Sequence, residues 1–578
     1  MKLSTQSPIS SLLASPEGRA LAKEYIPLTL EQDSEFVQSG VLPIEMLTLF
    51  EQSLASDPAR KELFVAELEL LDAPERPVEE PVQVRDDYED TQCAIAPWRT
   101  VTAAPAAQCL VEIELDGPQH GNPFVDVELS VAVTGVGAAY TVAGFYDGDG
   151  RYVFRLLPSA AGTWSFKTHS NATSLDGVVG SVEVAVAPSG AHGPVHVEGM
   201  GFRHADGTRH LPLGTTCYAW THQTLELEEA TLKTLAAEPF TKVRMCVFPK
   251  SYLFNSNEPE RHAFERDADG AFDTKRFNPD FFRHFEQKIA ALDALGIQAD
   301  VIVFHPYDRW GYADMGPVVD DRYLRYLTAR LSAFPNVWWS LANEYDLLGS
   351  KTLEDWDRIA SVIRDHDPVH HLMSIHNCMH VFDNSRDWVT HASMQRIDAY
   401  RTAENVDAWR RQWGKPVIVD ECAYEGDIDQ GWGNITAEEM TRRFWEAAVR
   451  GGWCGHSETY WAEDEVLWWS KGGVLKGLSP ERIAFLRRIL EEAPGDLEPQ
   501  PTSWDVPSAV VGDCYRLDYY SFMRPRYRTV SLPAGTTWRA DIIDTWAMTV
   551  EPVPKPLEGQ VVVQLPARPY IALRMIRL

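Results

Sequence analysis

Residues 297–346 read IQADVIVFHPYDRWGYADMGPVVDDRYLRYLTARLSAFPNVWWSLANEYD. An apolar, β-forming run ends in the polar cluster HPYD (305–308). Apolar residues then recur at helical spacing from Tyr323 to Phe334, and a second β-forming run, NVWWSLANEYD (336–346), again ends in polar residues. Strand, amphipathic helix and strand make the repeating unit of a parallel sheet. Six further segments share this character: HLPLGTTCYAW (210–220), KVRMCVFPK (242–250), HLMSIHNC (371–378), DWVTHASMQ (387–395), KPVIVDECAYE (415–425) and GGWCGHSETYW (451–461). Helical patterns such as Phe281 to Leu295 separate most of them. Eight parallel strands with crossover helices close most simply as a (β/α)8 TIM barrel, placed here at 200–496.

The flanks have other periods. From 88 to 196 the spacing is two, as in Val111, Ile113 and Leu115, and again in Val125, Val127, Leu129, Val131 and Val133, with turns at Asp147-Gly148-Asp149-Gly150; this predicts an Ig-like β-sandwich. Short alternating strands return over 497–578 and predict a C-terminal β-sandwich. Residues 1–80 read as a helical region and linker. Ser15-Pro16-Glu17 and Asp57-Pro58 are helix starts. Ile44, Leu47, Phe50 and Leu54 share one helical face, and Leu63, Leu68 and Leu71 carry the next helix. DAPERPVEEP (72–81) is the linker. The fold class is therefore α/β, a barrel with three flanking regions.

The chain of 578 residues carries 53 basic and 84 acidic side chains, a net charge of −31, which disfavours nucleic acid and anionic membrane as partners. It also disfavours polyanionic glycans. No signal-peptide core or transmembrane run is apparent, and eight scattered cysteines without CxxC read as free thiols; the expected location is the cytoplasm. Homo-oligomerisation is left open.

Catalytic groups of a barrel lie at the C-terminal ends of its strands. Those ends supply Trp220, His222, Arg244, His305, Asn343, Glu344, His376, Gln395, Glu421, Tyr424, Glu458 and Trp461. Glu344 follows the fourth strand and Glu421 the seventh. Singly, each reads as a surface carboxylate paired with Lys or Arg; together they suit glycoside hydrolysis, in which one carboxyl protonates the leaving oxygen and the other attacks the anomeric carbon. Loop aromatics, among them Trp310, Tyr312, Trp388, Trp432, Trp468 and Trp469, are expected to line a closed carbohydrate pocket suited to exo cleavage.

Asn-Glu on strand four with Glu on strand seven resembles the clan A glycoside hydrolases. GFYDGDGRYVFRLLPSAAGTWSFKT (144–168) is similar to the DUF5060 sandwich, and HLPLGTTCYAWTHQ (210–223) resembles the start of a DUF4038/DUF5605-type catalytic domain. The resemblance covers roughly 88–578. It implies a retaining mechanism with Glu344 as acid/base and Glu421 as nucleophile, about 5–5.5 Å apart. It further implies that Asn343 bonds the sugar 2-hydroxyl, Arg244 keeps the nucleophile ionised, and Trp461 stacks on the sugar. His222, His305, His376 and Gln395 are hydrogen-bonding candidates, with Trp220, Tyr424 and Glu458 completing the substrate shell. The tyrosine that contacts the nucleophile is left open among Tyr218, Tyr424 and Tyr460.

Other chemistries fit less well. His370, His371, His376 and His380 offer metal ligands, yet HExxH is absent and the first strand ends in Tyr218-Ala219-Trp220, so no metal or cofactor is expected. No GxSxG occurs. The expected function is hydrolysis of small neutral glycosides, with transglycosylation or an inactive carbohydrate-binding barrel as alternatives.

Overall fold

The strands at the centre are short and buried on both faces, as apolar runs flanked by helices dictate. They are β1 (Gly214–Thr216), β2 (Lys242–Cys246), β3 (Gln298–Phe304), β4 (Val337–Ala342), β5 (Met373–Ser374), β6 (Ala392–Gln395), β7 (Val417–Glu421) and β8 (Trp453–His456). In this computed structural model, which describes residues 2–27, 40–75, 79–396, 398, 400–500 and 505–578, they form one sheet in the order β5-β4-β3-β2-β1-β8-β7-β6. Neighbouring strands pair in parallel, for example Gly214 with Lys242 and Val301 with Trp339, and a parallel bridge joins His376 just beyond β5 to Ser393 on β6. The result is the eight-stranded barrel. Helices follow every strand but β5; among the described residues none lies between β5 and β6. By compactness the chain divides into Met1–His196, His204–Thr208 and Cys246–Ile375 on one side, and Val197–Arg203, Arg209–Met245 and His376–Leu578 on the other.

In the first unit, the amino-terminal helices begin where the sequence says. Ser15 Oγ accepts from the Gly18 N–H at 2.9 Å, and Asp57 Oδ1 from the Arg60 N–H at 3.1 Å. Ile44, Leu47, Leu54, Phe64 and Leu68 form a local core. Phe50 does not join it: the helix ends at Phe50, Glu51 turns extended, and the ring is left exposed. Leu63 is exposed too, its neighbour Phe64 taking the core position. The centre of the expected linker, 76–78, lies outside the described residues. The Gly349 N–H beyond β4 donates to Val41 O at 2.9 Å, tying this helical region to the loop after Glu344.

The sandwich pairs one sheet containing Val111–Asp116 and Arg151–Leu156 with another containing Leu129–Gly135 and Gly162–Ser170, over a core that includes Trp164. Its alternation begins at Leu129, because Asn122-Pro123 starts a helical turn (Pro123–Asp126) through Val125. A buried ion network joins it to barrel helices Pro279–Ala294 and Pro317–Leu331. Arg155 Nη2 lies 2.9 Å from Glu286 Oε2, Glu286 also pairs with Arg330, and Arg330 reaches Asp147 at 2.8 Å.

In the second unit, a C-terminal sheet runs through Ser508–Val511, Tyr515–Tyr519, Ile571–Arg577 and Thr537–Asp544. Tyr515, Leu517 and Tyr519 share a core with barrel helices Ala437–Val449 and Ser479–Glu491. All eight cysteines are free thiols. Among the described residues no helix is long and apolar enough to cross a membrane.

Candidate active site

Glu421 ends β7 after three buried aliphatic residues, Val417, Ile418 and Val419, which fix the strand and project the carboxylate at its C-terminal end. Three polar groups surround one of its oxygens. The Tyr218 hydroxyl donates to Oε1, Arg244 Nη1 lies 3.3 Å from it, and His376 Nε2 lies 3.4 Å from it. Burial by itself would raise the Glu421 pKa. His376, the Arg244 guanidinium and the Tyr218 phenol outweigh it and hold the carboxyl well below the usual carboxylate range. His376 is pushed the other way: burial and the neighbouring Arg244 disfavour its imidazolium, against the pull of Glu421. Arg244 and Tyr218 are therefore the more dependable holders of the Glu421 charge.

Tyr218 is thus the tyrosine on Glu421. Tyr460 turns away to donate to Glu425 Oε1 at 2.8 Å, while Tyr424 is buried, its phenol pKa driven up by burial and then by Glu421. Trp469 meets Tyr218 edge-on, with ring centroids 5.7 Å apart, and packs 4.9 Å from Trp432. Trp432 and Trp469 were expected among the pocket aromatics, but the contact of Trp469 with Tyr218 was not foreseen, since in sequence Trp469 lies well past the strand-eight segment. Trp461 is 57% exposed and its backbone N–H caps Asp427 Oδ1. Gln395 stands in register beside Glu421 on β6.

Glu344 follows β4 in the other unit. Its backbone is left-handed at φ +53°, a conformation that costs a non-glycine residue about 1–3 kcal/mol and that concentrates at functional sites. The Tyr307 hydroxyl donates to Glu344 Oε2, and Asn343 Nδ2 donates to the same oxygen at 3.1 Å. Tyr307 was missed in the sequence, although it lies inside HPYD; Lys250 Nζ sits 4.3 Å from its ring centroid. His305 is buried, with Nε2 3.2 Å from Phe248 O.

Several expected shell residues are used differently. Glu458 lies past β8, in a two-residue ladder with Glu425–Gly426, and its oxygens accept the Lys476 and Gly477 backbone N–H groups at 2.8 Å each. Burial pushes its carboxyl up to about 7 against those donors. It anchors Lys476 and Gly477, while Glu425 holds the next two N–H groups, of Leu478 and Ser479. Trp220 is fully buried, and His222 is buried beside Thr221. Tyr312 and Trp468 belong to the interior, the first stacked on Phe248 and the second donating from Nε1 to Thr215. Among the described residues, Glu425, His456 and Glu458 alone bring three metal-ligand atoms together, and the carboxylates there already accept hydrogen bonds.

Comparison with known proteins agrees with this architecture. Residues 197–494 match the family described as Apiosidase-like, catalytic domain; residues 109–171 match DUF5060 and 504–576 match DUF5605. The DUF5605 likeness therefore falls on the C-terminal sandwich, whereas the barrel carries the Apiosidase-like match. A crystal structure named as a "putative glycoside hydrolase" from Bacteroides vulgatus is 37% identical, covers 82% of this chain and 100% of its own, and superposes with a TM-score of 0.78. A family 5 glycoside hydrolase from the same organism shares the fold at 18% identity, covering 67% and 94% of the two chains with a TM-score of 0.52. No curated protein matches. The Apiosidase-like match spans more than half of the chain and falls on a glycoside-hydrolase-like barrel, and the chain belongs to the Apiosidase-like family.

Proposed function

We propose that the protein is a retaining, exo-acting glycoside hydrolase with Glu421 as nucleophile and Glu344 as acid/base. The observation that carries this reading is the state of Glu421. It is held ionised, with Tyr218, Arg244 and His376 gathered on Oε1, an arrangement that supports Oε2 as the attacking oxygen. Glu344, with Tyr307 and Asn343 donating to one oxygen, protonates the departing glycosidic oxygen and then activates water. Trp461, exposed beyond β8, remains the candidate sugar platform, with Trp469 packed edge-on against Tyr218.

The family description points to apiosides, so a terminal furanoside of that branched pentose heads the candidate substrates. In this reading the chain has four regions, 1–80, 88–196, 200–496 and 497–578, and the chemistry is assigned to the third. The free thiols favour a reducing compartment.

The test is a panel of aryl glycosides that includes the apiofuranoside, with NMR of the first anomer released. Net retention, lost in Glu421→Ala, is expected. Release of the inverted anomer, or turnover by Glu421→Ala near that of the parent, overturns the mechanism.

A further inference from the structure

Behind Glu421 runs a line of buried polar side chains that two-glutamate chemistry leaves unused. Lys242 Nζ on β2 donates to Asp420 Oδ1 at 2.6 Å, and Ser393 Oγ on β6 donates to Asp420 Oδ2 at 2.6 Å. Ser393 Oγ also lies 2.9 Å from His376 Nδ1, and the opposite ring nitrogen, Nε2, faces Glu421 Oε1 at 3.4 Å. Lys242, Ser393, His376 and Asp420 are all essentially inaccessible to solvent.

The protons along this line can be assigned. Burial would raise the Asp420 pKa, but the ammonium of Lys242 and the guanidinium of Arg244 hold it well below the ordinary range, so it is a carboxylate. A carboxylate only accepts, and Ser393 has a single hydroxyl hydrogen, which goes to Asp420. The serine oxygen then offers His376 only lone pairs, and His376 Nδ1 must supply the proton between them. The neutral Nε2–H tautomer is excluded by this count. His376 can therefore donate to Glu421 only as an imidazolium; a neutral ring turns a bare lone pair toward the carboxylate. The charges facing the ring are Arg244 from β2, which opposes its protonation, and Asp420 and Glu421 from β7, which favour it.

We propose that Lys242, Asp420 and Ser393 are positioning residues that fix the His376 proton on Nδ1, so that the Nε2 contact with Glu421 is made by a cation or not at all. The state of His376 is thereby tied to the charge on Glu421, whose carboxylate favours the donating ring and whose ester does not. The kinetic consequence rests on Glu421 being the nucleophile; the tautomer does not.

The experiment uses the full chain with 15N-labelled histidine. Two-bond 1H–15N correlations identify each ring nitrogen, and the His376 signals are assigned by their loss in His376→Gln. Nδ1 should remain protonated throughout the folded pH range, with only Nε2 titrating; a neutral Nε2–H ring in the parent protein overturns the proposal. Ser393→Ala should bring in the Nε2–H tautomer and lower kcat about tenfold, the kinetic equivalent of one hydrogen bond, with KM little changed. Ser393→Thr should restore both. An unchanged kcat and tautomer in Ser393→Ala also overturns it. Azide rescue of Glu421→Ala tests the nucleophile separately: rescue with the wrong His376 tautomer defeats the relay alone, and the right tautomer without rescue defeats the nucleophile assignment alone.

Discussion

Replacing Tyr218 by phenylalanine removes one hydroxyl from the Glu421 cluster and leaves the ring, its edge-on contact with Trp469 and its packing in place. A hydrogen bond to a charged group contributes about 1.5–3 kcal/mol, so kcat/KM should fall roughly 10- to 150-fold if that bond is needed with the carboxylate ionised. The same loss sets the pH dependence. Tyr218 is one of the groups that lower the Glu421 pKa, so its removal raises that pKa, by about 1–2 units at 1.36 kcal/mol per unit. The acidic limb of kcat/KM, which reports ionisation of the free enzyme, should move to higher pH by that amount while the basic limb stays put. The assay is kcat/KM against pH for parent and Tyr218→Phe on one activated aryl glycoside, with thermal unfolding as the check on folding. An acidic limb that does not move, in a variant that unfolds like the parent, would refute the claim that Tyr218 holds the nucleophile ionised.

Three further outcomes follow from the same structure. Glu344→Ala should slow substrates with poor leaving groups by about 10²- to 10⁴-fold while scarcely affecting those that need no proton, measured across a leaving-group series. Glu286→Ala leaves Arg155 and Arg330 buried without their shared carboxylate and should cost about 3–5 kcal/mol, seen as a lowered denaturation midpoint. Glu286 is held down to about 2 in the fold against about 4.3 unfolded, so the stability it lends at neutral pH should disappear as the pH falls through that interval, and the variant should lack this acid sensitivity. Glu458→Ala removes the acceptor of the Lys476 and Gly477 backbone N–H groups, which water can partly replace, and should lower stability by about 0.5–1.5 kcal/mol while leaving KM for small glycosides unchanged; a raised KM would return Glu458 to the substrate shell.

The barrel was legible because its strands are apolar runs with polar ends, and the same logic located Glu421, Arg244 and His376, which the structure brings together. What sequence could not give was the direction of side chains just past a strand end. Glu458 looks like a strand-eight terminus, but β8 stops at His456 and the chain enters a second ladder that turns the carboxylate toward backbone amides. Three tyrosines were equally plausible partners for Glu421, and only tertiary packing separates Tyr218 from Tyr460. The Ser393–Asp420 link depends on neighbouring strands, β6 and β7, whose register shifts between Ser393 and Gln395, an irregularity with no local signature.

The Gly349–Val41 hydrogen bond has a consequence for biosynthesis. The helices that dock beside the Glu344 loop leave the ribosome about three hundred residues ahead of that loop, an interval of roughly 15–60 s at ~5–20 residues per second. Throughout that time their docking face has nothing to rest on, and they must persist on their own small core. A nascent chain whose leading helices are captured by a chaperone or clipped by a protease would complete its barrel with the Glu344 turn unsupported, so the price of early damage would be paid in catalysis.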